Sequence, residues 1–209
     1  MKEDSNTVDF GHARVKRGEK SGLVREVFSE VSETYDLFND VASFGFHRIW
    51  KKYALWLLNL KSGETLLDVA SGSGDLAIKA AELVKPAGTV VMCDINDRML
   101  EHGRSRCLDE GKLIPLVKAN AESLPFMDNS FDKLTIGFGL RNITDKTRAL
   151  NEFKRVLRPG GKALILSVMF LNPNPIVNLS KELSIKGRLS AFALTSGMSL
   201  PSSRQRFLP

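Results

Sequence analysis

Two carboxylates and a pair of glycines carry the chemistry most legible in this chain. Asp68 lies in the run Leu66-Leu67-Asp68-Val69, the turn Gly72-Ser73-Gly74-Asp75 follows, and Asp94 stands twenty residues beyond Gly74. Glycine is needed in such a turn because the backbone must bend sharply and approach a ligand that a Cβ would block. Asp94 closes a second apolar run, Val90-Val91-Met92-Cys93. A carboxylate at the tip of a second strand can accept hydrogen bonds from both hydroxyls of a ribose. Together these residues describe a nucleoside-binding crevice at the carboxyl edge of a parallel sheet. Which nucleoside it takes is open at this level.

Elements must position those side chains. The hydrophobic pattern predicts strands at 65–70, 89–93, 113–117, 132–138 and about 162–168, with helices near 75–84, 97–110 and 145–157. Lys85-Pro86-Ala87-Gly88 stops the first of these helices and Gly111 the second, and Arg158-Pro159-Gly160-Gly161 ends the third. Asn120-Ala121-Glu122 follows the third strand, and Gly139-Leu140-Arg141-Asn142 the fourth; Asn142 and Thr144 are candidate caps for the last helix. Alternation of this kind argues an α/β fold, a mostly parallel sheet with helices on both faces and right-handed crossovers. Upstream, Val24, Val27, Phe28, Val31 and Tyr35 recur at helical spacing. A second helix is expected from about His47 to Leu60, with His47 as a packing or helix-start residue and Trp50 and Trp56 as core anchors of an N-terminal helical lid. Residues 1–20 are polar and are expected to lack regular structure unless they close over a ligand. After Phe170, Asn172-Pro173-Asn174-Pro175 breaks the pattern, and residues 183–209 hold six serines and no acid. The organisation read from this is an arm and lid over 1–60, a core over 61–170 and a divergent tail over 171–209, within one domain.

Composition narrows the function classes. Hydrophobic residues at 43% and charged ones at 26% are ordinary for a soluble globular protein, and 209 residues suffice for a full core. Cys93 sits in an apolar strand, as inert filling, and Cys107 in a helical pattern, which suits a reducing compartment without a disulfide. His12, His47 and His102 show no ligand spacing, so no metal is expected. The charged N-terminus carries no secretory signal, and no apolar run approaches the ~18 residues of a membrane span. The expected location is cytoplasmic. Of the net charge of +6, Lys186, Arg188, Arg204 and Arg206 in the tail supply four, leaving +2 over the rest. That balance speaks against a nucleic-acid partner, which would select clustered cations on one face.

Gly72-Ser73-Gly74-Asp75-Leu76-Ala77 fits a dinucleotide pattern with alanine in the third position and an S-adenosyl-L-methionine pattern equally well. Asp75 separates them. It stands where a pyrophosphate would approach the helix N-terminus, and a carboxylate there repels phosphate. A sulfonium cofactor carries an amino acid and no phosphate. The chain also offers no second domain to hold a dehydrogenase substrate, so an NAD-dependent oxidoreductase is the weaker reading.

The sequence resembles the ubiquinone/menaquinone biosynthesis C-methyltransferases over roughly residues 10–166. The matching segments are Val27-Phe28 through Tyr35-Asp36-Leu37-Phe38-Asn39-Asp40, and Ser43-Phe44-Gly45-Phe46-His47-Arg48-Ile49-Trp50-Lys51. They continue through Asp68 to Asp75, Asp94-Ile95-Asn96, Asn120-Ala121-Glu122-Ser123-Leu124-Pro125-Phe126 and Phe138-Gly139-Leu140-Arg141-Asn142-Ile143-Thr144-Asp145. Arg158-Pro159-Gly160-Gly161-Lys162 is a turn common to class I methyltransferases. The resemblance implies a Rossmann-like class I methyltransferase fold and methyl transfer from S-adenosyl-L-methionine to a ring carbon of a prenylated benzoquinol or naphthoquinol.

By motif, Ser73, Asp94, Asn120 and Ala121 are implied cofactor contacts, with Asp94 at the ribose and Asn120-Ala121 at the adenine. Asp68 lies at the same strand end, and Gly72 and Gly74 would let the backbone approach the methionine portion. Gly137 replaces the serine frequent in the family, removing one polar contact. Arg141, with Asn142 and Tyr35 nearby, is the implied catalytic group. Arginine stays protonated in proteins, so a phenolate-stabilising and water-orienting role suits Arg141 better than that of a base. A prenylated substrate also implies transient contact with the inner membrane surface, for which Lys51, Lys52 and the face around Ala54-Leu55-Trp56-Leu57-Leu58 are candidates. A homo-oligomer is compatible with these features. The resemblance stops near Leu166, and the family's closing strands are not recognisable after it. The expectation is that they are missing or altered, which leaves a cofactor-binding but inactive protein as the alternative reading.

Overall fold

Leu66, Leu67 and Val69 are all but inaccessible, as a central parallel strand packed on both faces requires. The computed structural model describes residues 7–10, 13–16, 18–20, 22–23 and 46–166. Within them, five parallel strands form one sheet: β3 (Thr65–Val69), β4 (Thr89–Asp94), β5 (Leu116–Lys118), β6 (Phe131–Gly137) and β7 (Leu157–Leu166). Their order is β5-β4-β3-β6-β7. From β3 the chain steps outward through β4 to β5, then crosses back to lay β6 on the opposite side of β3. The strand order therefore reverses between β3 and β6, where a crevice opens at the carboxyl ends of an α/β sheet.

Helices cover both faces. Phe153 and Val156 of α4 (Lys146–Val156) pack with Leu67, Val69, Leu134 and Ile136 on one side. On the other side, Ala54, Leu55 and Leu58 of α1 (Phe46–Leu58) join Ala77 and Ala80 of α2 (Asp75–Val84) and Cys107 of α3 (Asp97–Asp109) over Leu66, Val90 and Met92. The caps are local and specific. Asn96 accepts from the N–H groups of Arg98 and Met99 at the start of α3, and Asp145 accepts from that of Arg148 at the start of α4. Asp145 thus takes the capping role expected of Asn142 or Thr144.

At the amino rim of the sheet, Asp132 Oδ2 accepts from both the N–H and the hydroxyl of Thr65, each at 2.8 Å. Arg158 donates to both oxygens of the same carboxylate at 2.7 Å. This ties β3, β6 and the start of β7 together at the end remote from the crevice.

The sheet follows the sequence pattern, with three corrections. The third strand is Leu116–Lys118 rather than 113–117, because Leu113 is 90% exposed and makes no core contact. The fifth begins at Leu157: Arg158–Gly161 forms an irregularity inside β7, between the pairs Phe131↔Leu157 and Lys133↔Lys162. Residues 1–20 hold an antiparallel hairpin, β1 (Thr7–Phe10) with β2 (Ala13–Lys16), where no regular structure was expected. The first lid helix, Tyr35 and the tail over 171–209 lie outside the described residues.

Gly103 decides how closely α3 approaches the crevice. A Cβ there would stand 2.9 Å from the carbonyl oxygen of Gly72 and 2.6 Å from Met92 Cε. The backbone oxygen has no room to yield, so Gly103→Ala is expected to cost about 1–3 kcal/mol of stability, read from urea unfolding.

Candidate functional site

The turn after β3 is built around left-handed backbone. Gly72 (φ 53°) and Gly74 (φ 79°) occupy it, and Ala70 (φ 50°) does so without being glycine. Phe138, just after β6, has φ 61°. Two non-glycine residues in this region, one after each strand flanking the point of reversal, cost roughly 1–2 kcal/mol each, a strain typical of functional sites. Asp94 fixes the turn from the neighbouring strand: Oδ2 accepts from the Gly72 N–H and Oδ1 from the Asn96 N–H, both at 2.9 Å. Burial raises its pKa against these backbone hydrogen bonds.

Asp75 is the hub of an ion cluster. Lys51 Nζ of α1 lies 2.8 Å from its Oδ2, Lys79 of α2 donates to Oδ1, and Arg106 of α3 stands 3.7 Å from Oδ1. Arg106 also donates to the Ser73 carbonyl at 3.0 Å. Burial works against ionisation of Asp75, but Lys51 and Lys79 outweigh it and hold the carboxyl well below its usual range. Asp68 is the opposite case. It is 1% exposed; Oδ1 accepts from the Thr135 hydroxyl at 2.7 Å, and Oδ2 is buried without a partner. Burial pushes its pKa up to about 7, against the Thr135 hydrogen bond and the Lys51 charge.

One cleft gathers most of the expected residues. Asp68, Gly72, Ser73, Asp94, Asn120, Ala121 and Gly137 line it, and Asn142 joins them from the 3-10 turn Leu140–Asn142. Gly74 is not in the lining. Its φ of 79° favours glycine, and an added Cβ would also crowd the flexible end of Met92, with Cε at 2.8 Å. At Gly137 an added Cβ would meet Leu76 Cδ1 at 2.9 Å. Arg141 is exposed on the same turn as Asn142 but outside the lining, and its carbonyl accepts from the buried Lys20 at 3.3 Å. Tyr35 lies outside the described residues.

Two charged residues of the lining, Lys51 and Glu122, had no role in the cleft in the sequence reading. Lys51, expected to face a membrane, is buried in the cleft wall, because α1 lies across α2 and pairs it with Asp75. Glu122 lines the cleft while its Oε1 accepts from the N–H groups of Thr144 and Asp145, at 3.1 and 3.0 Å, joining the loops after β5 and β6. Its place in Asn120-Ala121-Glu122 was the available signal. Cys93 is buried, and burial pushes its thiol up to about 12, so it is inert.

The donor set discriminates between nucleotide classes. Among the described residues, the lining carries Asp68, Asp75, Asp94 and Glu122 against the single base Lys51. Such a cleft disfavours a pyrophosphate and suits a ligand bearing a sulfonium and an ammonium. Fold and cleft together define a class I methyltransferase of the kind that uses S-adenosyl-L-methionine. A profile of the ubiE/COQ5 methyltransferase family matches residues 14–181, and the chain belongs to that family. It is 49% identical over 178 residues to the ubiquinone/menaquinone biosynthesis C-methyltransferase UbiE of Hahella chejuensis, covering 84% of this chain and 71% of that one. The protein of the same description from Pseudomonas putida (strain GB-1) is 51% identical over 162 residues, covering 77% and 63%. The chain thus spans about two thirds of the length of these curated relatives. Among solved structures, a candidate methyltransferase from Bacillus halodurans C-125 aligns with a TM-score of 0.55 at 26% identity, covering 68% of this chain and 62% of that one.

Asp68 gives a pH signature. With a folded pKa of about 7 against 3.8 otherwise, the folded chain holds a proton between these values that the unfolded chain has lost. Its contribution to stability is full below pH 3.8, declines as pH rises and is gone above about 7. Asp68→Asn is therefore expected to melt several degrees higher than the unsubstituted chain at pH 8, and no higher at pH 4, by calorimetry.

Proposed function

We propose that the chain transfers the methyl group of S-adenosyl-L-methionine to a ring carbon of a prenylated quinol, demethylmenaquinol or 2-polyprenyl-6-methoxybenzoquinol. The observation that carries this reading is the cleft at the strand reversal, lined by Asp68, Asp75, Asp94 and Glu122, with Asp68 Oδ2 buried and without a close hydrogen bond. Its charge selects a cationic nucleoside, and the named relatives supply the substrate class. When bound, the cofactor supplies an electrophilic methyl group on sulfur.

The chain's own residues bind and orient. Asp94 keeps lone pairs beyond its two backbone hydrogen bonds for the ribose hydroxyls. Asn120, whose Oδ1 accepts from the Glu122 N–H at 3.0 Å, and Ala121 form the adenine wall with Gly137 opposite. Ser73 and Gly72 present backbone to the amino-acid end. Asn142 reaches the cleft from the 3-10 turn and orients the ring hydroxyl. Arg141 acts from the cleft rim, with its guanidinium stabilising the phenolate oxygen and holding the water that takes the proton. Tyr35 completes the group in this reading. Holding the reacting carbon and methyl at about 3–3.5 Å supplies roughly 7–11 kcal/mol of barrier lowering.

The substrate's prenyl chain supports a peripheral, cytoplasmic position at the inner membrane. No helix among the described residues is long and apolar enough to cross a bilayer. Trp56, expected as a core anchor, is 70% exposed and stacks on Tyr53 at 5.6 Å, next to exposed Lys52. This aromatic pair, rather than the buried Ala54, Leu55 and Leu58, is the surface for transient bilayer contact.

Three measurements test the reading. Saturating S-adenosylhomocysteine is expected to raise the melting temperature, through about 2.7 kcal/mol at a hundredfold excess over the dissociation constant. No shift over a cooperative transition overturns the cofactor. Arg141→Ala is expected to lower kcat about a hundredfold on a short-chain quinol with S-adenosylhomocysteine affinity unchanged; unchanged turnover overturns its role. Trp56→Ala is expected to weaken sedimentation with anionic vesicles several-fold while leaving turnover on the short-chain quinol intact.

A further inference from the structure

The amino-acid end of S-adenosyl-L-methionine carries one ammonium and one carboxylate, and the cleft lining holds a group suited to each, the Asp68 carboxylate and the Lys51 ammonium. Asp68 Oδ2 is buried and makes no close hydrogen bond, while the Ala77 N–H in the first turn of α2 acts on the same carboxylate. Among the described residues, Lys51 is the one basic side chain in the lining, with its side chain 10% exposed. We propose that Lys51 binds the carboxylate of the cofactor's amino-acid end, reading the zwitterion together with Asp68 and docking helix α1 on the bound cofactor. This deepens the cofactor assignment above and rests on it.

The ion cluster explains why Lys51 is available. Asp75 receives three cations, Lys51 at 2.8 Å, Lys79, and Arg106 at 3.7 Å, so one carboxylate faces three positive charges. A second anion beside Lys51 relieves that excess rather than competing with it. Asp75 remains neutralised by Lys79 and Arg106 while Lys51 shares its ammonium, which has three donors. Lys51 also already acts on Asp68 through space, which sets the two side chains in one neighbourhood of the cleft. The opposite placement of the ligand is excluded by charge, because a carboxylate laid against Asp68 would meet a buried acid.

A purely structural role, in which Lys51 only pins α1 to α2, would affect every ligand of the cleft alike. The deciding experiment compares two ligands by isothermal titration calorimetry on the full chain. S-adenosylhomocysteine has the amino-acid end; 5′-methylthioadenosine has the nucleoside and thioether without it. Lys51→Met is expected to weaken S-adenosylhomocysteine about 10–100-fold and to change methylthioadenosine by less than about twofold. Lys51→Arg, which keeps the charge, is expected to recover most of the affinity. Should Lys51→Met fail to show a cooperative melt, Lys51→Gln is measured in the same pairing, with an intermediate, S-adenosylhomocysteine-specific loss expected. Equal losses for both ligands, or none for either, overturn the role of Lys51 while leaving the cofactor in place. Failure of the unsubstituted chain to bind S-adenosylhomocysteine overturns the cofactor assignment and this proposal with it.

Discussion

A single carboxylate, Asp75, gathers cations from three helices at the mouth of the cleft. Lys51 comes from α1, Lys79 from α2 and Arg106 from α3, and Arg106 holds the Ser73 carbonyl as well. The glycine turn has few side chains with which to hold itself, so its position is set from outside, by this cluster and by Asp94 grasping the Gly72 N–H. Where Asp75 sits follows from the helix it begins: a negative residue in the first turn is favoured by the aligned peptide dipoles. Helix α1, the glycine turn and α3 are consequently one electrostatic unit, while the sheet beneath is held by apolar burial.

That unit is not optimised for the chain alone. Asp68 is kept in the cleft floor with one oxygen unsatisfied, and Ala70 and Phe138 hold left-handed backbone on either side of the strand reversal. Each of these features costs stability, and all converge on the same few ångströms. Among the described residues, the buried side-chain polar atoms outside the cleft lining all have partners. Arg155, for example, donates to the carbonyls of Phe126 and Leu124 and to Glu152, fastening the loop behind the cleft. The contrast between a satisfied periphery and an unsatisfied cleft floor is the departure from local optimality expected at a functional site.

Much of this was legible in the residues. Alternating runs gave strands and helices to within a few positions because parallel strands buried on both faces leave continuous apolar stretches, and glycine and proline punctuate them. Asp94 and the glycine turn could be paired by spacing alone. What the sequence hid was orientation. Lys51 and Lys52 are neighbours with the same chemistry, yet one is buried against Asp75 and the other is exposed, a difference fixed by which side of α1 meets α2. Trp56 looked like core by its type and stands in solvent by its place on the helix. The paired strands at 7–10 and 13–16 escaped notice because, although Thr7–Phe10 and Ala13–Lys16 both alternate polar and apolar residues, four residues are the shortest run in which that pattern counts. The left-handed backbone at Ala70 and Phe138 was hidden as well, because neither residue type signals it.

The knot of Thr65, Asp132 and Arg158 lies at the amino ends of the strands, at the opposite end of the sheet from the cleft. Fold maintenance and cleft lining are thereby carried by separate sets of positions. A substitution in the loops after β5 and β6 leaves intact the clasp that keeps β3, β6 and β7 in register.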